Sequence, residues 1–179
     1  ALDHEIMRVF QELHIAELLQ PHMEPFTNSE FFGVDGQLIK CMSTIAPPYP
    51  LGYAPSIVFS QPPLEALLRE RVAALPSVTV ALGQSVIDLS QDEKAATLTV
   101  QDENGQRQQV RARYVIGCDG ASSFVRQKTG LPLDDLGFDE PWLVVDLLVN
   151  DSGLAKLPRT SVQFCEPQRP TTLVIGPGR

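Results

Sequence analysis

Val115-Ile116-Gly117-Cys118-Asp119-Gly120-Ala121-Ser122-Ser123-Phe124-Val125-Arg126 is the stretch that decides how the rest of the chain is read. An apolar run enters Gly-x-Asp-Gly, small and hydroxyl-bearing residues follow, and an apolar-Arg pair closes it. The pattern predicts a buried strand over residues 110–118 that runs into Asp119 and opens a helix capped by Ser122 or Ser123. Val125 and Thr129 fall on the inner side of that helix until Gly130 and Pro132 end it. Ligands in mixed α/β folds gather at such strand ends. Here Asp119 can accept hydrogen bonds from sugar hydroxyls, Gly120 lets a ligand approach the backbone, and N–H groups at the helix start attract phosphate. Arg126, a turn further on, adds a positive charge. The plain alternative is a turn that caps a helix, with Arg126 in a surface salt bridge.

Working upstream, Asp102-Glu103-Asn104-Gly105 forms a hairpin turn, and Val110, Ala112, Tyr114 and Ile116 alternate along the strand returning from it. Residues 78–82, 86–89 and 97–100 read as strands before that turn. Pro62 and Pro63 suit the first turn of a helix, where a missing N–H costs little. Its apolar face is Leu64, Leu67, Leu68, Val72 and Leu75, and it stops at Pro76. A strand over residues 56–60 precedes it. Residues 45–55 hold Pro47, Pro48, Pro50 and Pro55, which cannot donate to a ladder, so they form a loop lying over something. Residues 31–42 read as a hairpin around Asp35-Gly36. At the start, Ile6, Val9, Phe10, Leu13 and Leu18 trace the stripe of one amphipathic helix ending by Pro21.

Downstream, residues 142–149, 161–164 and 172–175 read as strands with no helices between them, for which an antiparallel sheet is the natural arrangement and a mixed one the alternative. The fold class is thus α+β or mixed α/β in two regions, residues 1–133 and residues 134–179, with a linker over 134–141. The hairpin and loop of residues 31–59 are expected to join the second region's sheet.

Composition narrows the partners. Of the 179 residues, 43% are hydrophobic and 20% charged, as in an ordinary folded protein. A net charge of −8 argues against a nucleic-acid backbone or an anionic membrane and leaves small molecules or proteins. Cys41, Cys118 and Cys165 lack metal-ligand spacing and read as reduced thiols of a cytoplasmic protein; no metal site and no membrane span is expected. The chain opens on Ala1 rather than Met and stops where a strand is turning, so an internal piece of a longer protein is expected.

Residues 115–126 resemble the second fingerprint of the single-component flavoprotein aromatic hydroxylases, the p-hydroxybenzoate hydroxylase type. Trp142-Leu143-Val144-Val145-Asp146, Cys165-Glu166-Pro167-Gln168-Arg169-Pro170, Ser60-Gln61-Pro62-Pro63-Leu64-Glu65 and the opening Ala1-Leu2-Asp3 are similar to the subgroup of 3-(3-hydroxyphenyl)propionate hydroxylases. The resemblance implies a partial FAD-binding domain followed by part of a substrate-binding sheet. It also implies that the parent protein hydroxylates a phenolic acid or related aromatic compound using FAD, NADH or NADPH, and oxygen. In that chemistry the flavin carries the redox steps while the protein supplies position, a dry pocket and electrostatics.

Carried over by position, the resemblance places Asp119 and Gly120 near the flavin, Arg126 toward the phosphates of the pyridine nucleotide, and Gln61 near the flavin at the start of its helix. The alternative for Gln61 is a residue that caps backbone amides. The family's first Gly-x-Gly-x-x-Gly turn, with its βαβ unit, is missing, and Gly176-Pro177-Gly178 cannot replace it. The isolated piece is therefore expected to be inactive. Trp142 and Phe164 either line a substrate pocket or belong to the core, Cys118 reads as inert packing, and no side chain is assigned a catalytic role. Two rivals stand beside this reading: a non-catalytic aromatic- or flavin-binding protein of the same fold, and a flavin oxidoreductase acting on a non-aromatic substrate. The aromatic substrate and the oligomeric state are left open.

Overall fold

β5 (Ser56–Phe59) organises the first part of the chain. In the computed structural model, which describes residues 1–177, it lies between β1 (Leu2–Asp3) and β2 (Met23–Pro25), antiparallel to both. Ile57 and Val58 are both buried, and successive β-branched residues suit a strand covered on its two faces. The chain divides into two units, Ala1–Val78 with Asp146–Arg179, and Thr79–Val145.

In the first unit, Asp3 caps α1 (His4–Glu12) by accepting from the Ile6 amide at 2.8 Å. The helix closes at His14, whose φ of 57° is left-handed. Its amide bonds the Gln11 carbonyl and the Ile15 amide reaches back to the Phe10 carbonyl, a paired closure that glycine usually makes. α2 (Ala16–Leu19) follows.

This closure corrects the single stripe expected from the sequence. Met7 and Phe10 are buried on α1, then Ile15, Ala16 and Leu19 after the turn, while Ile6, Val9, Leu13 and Leu18 are exposed. One continuous helix would keep one phase; a left-handed residue resets it, so each segment buries its own face. α3 (Gln61–Ala73) adds Leu64 to this core, with Leu67 and Leu68 against it. The proline-rich loop covers it, placing Ala54 inside and Tyr49 and Tyr53 over it.

The same unit holds a second sheet. β3 (Ser29–Phe32) and β4 (Leu38–Met42) form the hairpin around Asp35-Gly36, where Gly36 takes φ 71°. After a short helix, α5 (Asp151–Leu154), come β9 (Ser161–Phe164) and β10 (Thr171–Leu173). The strand order is β10-β9-β3-β4. β9 runs parallel to β3 and antiparallel to β10, so the sheet is mixed, one of the two arrangements the sequence predicts. A parallel neighbour needs a long connection, and the chain between Phe32 and Ser161 provides it. Thr160 donates to Glu30 at 3.1 Å, and the Phe32 and Phe164 rings stack with centroids 6.4 Å apart.

The second unit is a meander of β6 (Gln84–Gln91), β7 (Ala96–Asp102) and β8 (Arg107–Ala112), followed by α4 (Phe124–Lys128). The Asp102 carboxylate shapes the β7–β8 turn by accepting from the Asn104 and Gln106 amides at 2.9 and 2.8 Å, and Gly105 takes φ 80°. Three strand expectations fail. β8 ends at Ala112 instead of Cys118 because Ala112 pairs with Ala96, the first residue of β7, beyond which no ladder remains. Residues 78–82 and 142–149 form no strand either, and Leu82 and Leu148 are exposed. Apolar β-prone residues become a strand only beside another strand, and among the described residues none flanks these two segments. No helix among the described residues is long and apolar enough to cross a membrane.

Candidate functional site

Gly117, in the chain leaving β8, passes close against Val125 of α4. A Cβ there would lie 2.8 Å from Val125 Cβ, so only glycine lets the two segments pass. Two residues later, Asp119 turns its carboxylate into the loop. Oδ1 accepts from the Ser123 hydroxyl and Oδ2 from the Val125 amide at 3.1 Å. Ser123 is the N-cap of α4, its Oγ accepting from the Arg126 amide at 3.0 Å. A chain of bonds thus runs from helix to hydroxyl to carboxylate. The Ser123 hydroxyl, followed by the Val125 amide, holds the Asp119 carboxyl below the usual aspartate range.

Gly120 sits at φ 81°, and its carbonyl accepts from the Ser123 amide at 3.1 Å. That conformation favours glycine, and a Cβ added there would meet nothing within 4 Å, so the face of the turn is open. Arg126 Nη1 donates back to the Ala121 carbonyl, and Gln127 Nε2 donates to the Ser122 carbonyl at 3.1 Å. Lys128 Nζ lies 2.6 Å from Asp88 Oδ1 and fastens α4 to β6. Asp119, Gly120 and Arg126 therefore form one built turn.

One expectation about this turn is corrected. The amides of Val125 and Arg126 at the helix start are not open to a phosphate, because Asp119 and Ser123 occupy them. Those of Gly120, Ala121 and Ser122 take no hydrogen bond among the described residues. Cys118 is exposed rather than buried packing, because the strand expected to carry it has already ended.

Gln61 belongs to the first unit, as the first residue of α3. It caps no backbone amide; its Nε2 donates to Glu65 Oε1 at 2.8 Å. Trp142 is exposed in the second unit, while Phe164 is half exposed in the first, stacked on Phe32. Gly178 lies outside the described residues. Two participants were not singled out from the sequence. Gly117 was quoted only as the first glycine of its motif, and nothing in a sequence shows that Val125 will stand against it. Glu65 had a usable signal, its place four residues after Gln61 on a helix.

The profile of a family described as "FAD binding domain" matches residues 1–178. A probable NADH-specific resorcinol 4-hydroxylase of Rhodococcus jostii (strain RHA1) is 36% identical over 179 residues, covering 99% of this chain and 33% of that protein. A 3-(3-hydroxy-phenyl)propionate/3-hydroxycinnamic acid hydroxylase of Paraburkholderia xenovorans (strain LB400) is 34% identical over 170 residues, 94% of this chain and 26% of that protein. The chain thus spans between a quarter and a third of these two curated relatives. Among solved structures, the flavin-dependent monooxygenase PieE in complex with FAD and substrate aligns with a TM-score of 0.64 at 29% identity, covering 74% of this chain and 25% of that one. The p-nitrophenol 4-monooxygenase PnpA of Pseudomonas putida DLL-E4 aligns with a TM-score of 0.60 at 22% identity over 72% of this chain and 32% of its own, a likeness of fold.

Proposed function

The chain belongs to the FAD-binding domain family, and from that premise we propose that its parent protein is a flavin-dependent monooxygenase hydroxylating a phenolic acid or related aromatic compound. FAD supplies the redox chemistry, with NADH or NADPH and oxygen as co-substrates. Relatives named as resorcinol and hydroxyphenylpropionate hydroxylases support the substrate class. Residues 1–133 contribute to the FAD-binding region and residues 134–179 to the substrate side, whose sheet the β3–β4 hairpin joins, while the loop that follows it and β5 stay with the first core. The three unpaired cysteines favour a reducing compartment, the cytoplasm.

The observation that carries this reading is the turn from Gly117 to Arg126. Its Asp119 carboxylate is exposed and held ionised, and beside it the left-handed Gly120 leaves an open face. A carboxylate has about four acceptor sites. Two internal bonds leave room for hydroxyl groups of a ribityl or ribose chain. Arg126 has guanidinium donors beyond the one bound to Ala121, and these suit a nucleotide phosphate. What these residues do is hold and orient: the cap fixes the carboxylate, and the glycine admits the ligand to the backbone. Gln61 is the proposed cofactor contact from the first unit.

The test uses the full-length parent protein. Asp119→Ala lowers FAD content, or the rate of flavin reduction by NAD(P)H at saturating aromatic substrate, by about tenfold or more. Cys118→Ala leaves both unchanged, because its side chain is exposed and unpaired. An Asp119→Ala protein with wild-type flavin content and reduction rate overturns the site.

A further inference from the structure

We infer that Glu65 is a positioning residue that fixes which end of the Gln61 amide faces the cofactor, leaving the Gln61 carbonyl oxygen to accept from an N–H or hydroxyl of the flavin nucleotide. This rests on the proposed Gln61 contact with FAD, and adds to it the polarity of that contact and the group that sets it.

A glutamine amide is nearly symmetric in shape but donates from one end and accepts at the other, so its partners decide its orientation. Here the partner is a carboxylate, with Gln61 Nε2 donating to Glu65 Oε1 at 2.8 Å. An ionised carboxylate has no proton to give, so only the nitrogen end can face it. The Gln61 bond, followed by the Arg69 guanidinium, holds the Glu65 carboxyl below the usual glutamate range. Arg69 Nη2 lies 3.5 Å from Glu65 Oε2, so the two carboxylate oxygens are divided between two partners. Residues 61, 65 and 69 follow one face of α3 at the spacing that brings helical side chains together. Gln61 Oε1 takes no hydrogen bond among the described residues.

The start of α3 offers a ligand little else. A helix start ordinarily presents about four free amides. Pro62 and Pro63 have none, and the Ser60 amide is bound to the His22 carbonyl at 3.0 Å. This end is therefore poorly made for a phosphate, and the oriented carbonyl of Gln61 matches a ligand donor instead.

The experiment measures FAD affinity in the full-length parent for Gln61→Ala, Glu65→Gln and the double variant. We expect Gln61→Ala to weaken FAD about tenfold and Glu65→Gln about threefold, with the double variant no worse than Gln61→Ala, because Glu65 acts only through Gln61. Glu65→Asp keeps the charge but falls short of Gln61, and it should match Glu65→Gln; it also serves if Glu65→Gln proves unstable. A Glu65→Asp protein with wild-type affinity, or a Glu65→Gln loss that persists in full without Gln61, overturns the inference while leaving the Gln61 contact standing. Wild-type affinity in Gln61→Ala removes the contact itself. Reconstitution with N3-methyl-FAD identifies the donor: the Gln61→Ala penalty disappears if the ring N–H is the partner and persists if a hydroxyl is.

Discussion

In the first unit Met7, Phe10, Ile15, Ala16, Leu19, Ala54, Ile57 and Leu64 form one apolar cluster, whereas in the second only Ala96 and Val100 are buried among the described residues. The first unit is held by side chains that exclude water. The second is held by the β6–β7–β8 ladder, the Asp102 turn and the Asp119–Ser123 cap. A side-chain core spreads its stability over many contacts, while a unit held by hydrogen bonds depends on particular polar atoms. The candidate turn lies in the second kind of structure, so the atoms that shape it are also those offered to a ligand.

The strongest test of this contrast is truncation of one buried residue in each unit. Leu19→Ala should destabilise the first unit by about 2–5 kcal/mol, since it empties a site in a closed core. Val100→Ala should cost the second about 1–2 kcal/mol, in proportion to the two carbons removed from one face of a meander. Urea unfolding followed by amide exchange in each unit reads both values. A Val100→Ala loss as large as that of Leu19→Ala would mean the second unit has a core of comparable weight.

The next test addresses the cap. Ser123→Ala should cost about 1 kcal/mol of α4 stability, and it removes the hydroxyl bond that does most to lower the Asp119 pKa. The sign follows from that lowering. A depressed carboxylate contributes stability above its unfolded-state pKa and loses it as pH falls through the lower folded value. In Ser123→Ala the Asp119 pKa rises toward the ordinary value, so the loss still starts at the unfolded-state pKa but is smaller and is complete at a higher pH. Carboxyl NMR titration checks this, and an unchanged Asp119 titration would show that the hydroxyl does not hold it.

The smallest effect is expected in the first unit. His14 holds a left-handed conformation that glycine adopts without a Cβ clash, so His14→Gly should stabilise the chain by about 0.5–1 kcal/mol after its entropic cost. Thermal unfolding gives the answer. A destabilised variant would mean that the imidazole makes contacts worth more than the backbone strain it imposes.

Local chemistry was legible in the sequence. The turns at Gly36 and Gly105, the proline pair that opens α3 and the capped start of α4 all follow from residues within a few positions of one another. The sequence by itself also put Asp119, Gly120 and Arg126 on one turn, because they are close in the chain. Only the tertiary structure decided the rest. It ended β8 at Ala112, where its neighbour β7 begins; it split the first helix at His14; and it set β9 parallel to β3 across the length of the chain. It made Gly117 obligatory by bringing Val125 against it. A turn or cap is fixed by bonds among near neighbours, whereas a strand, a buried face or a close approach exists only once a distant segment arrives to complete it.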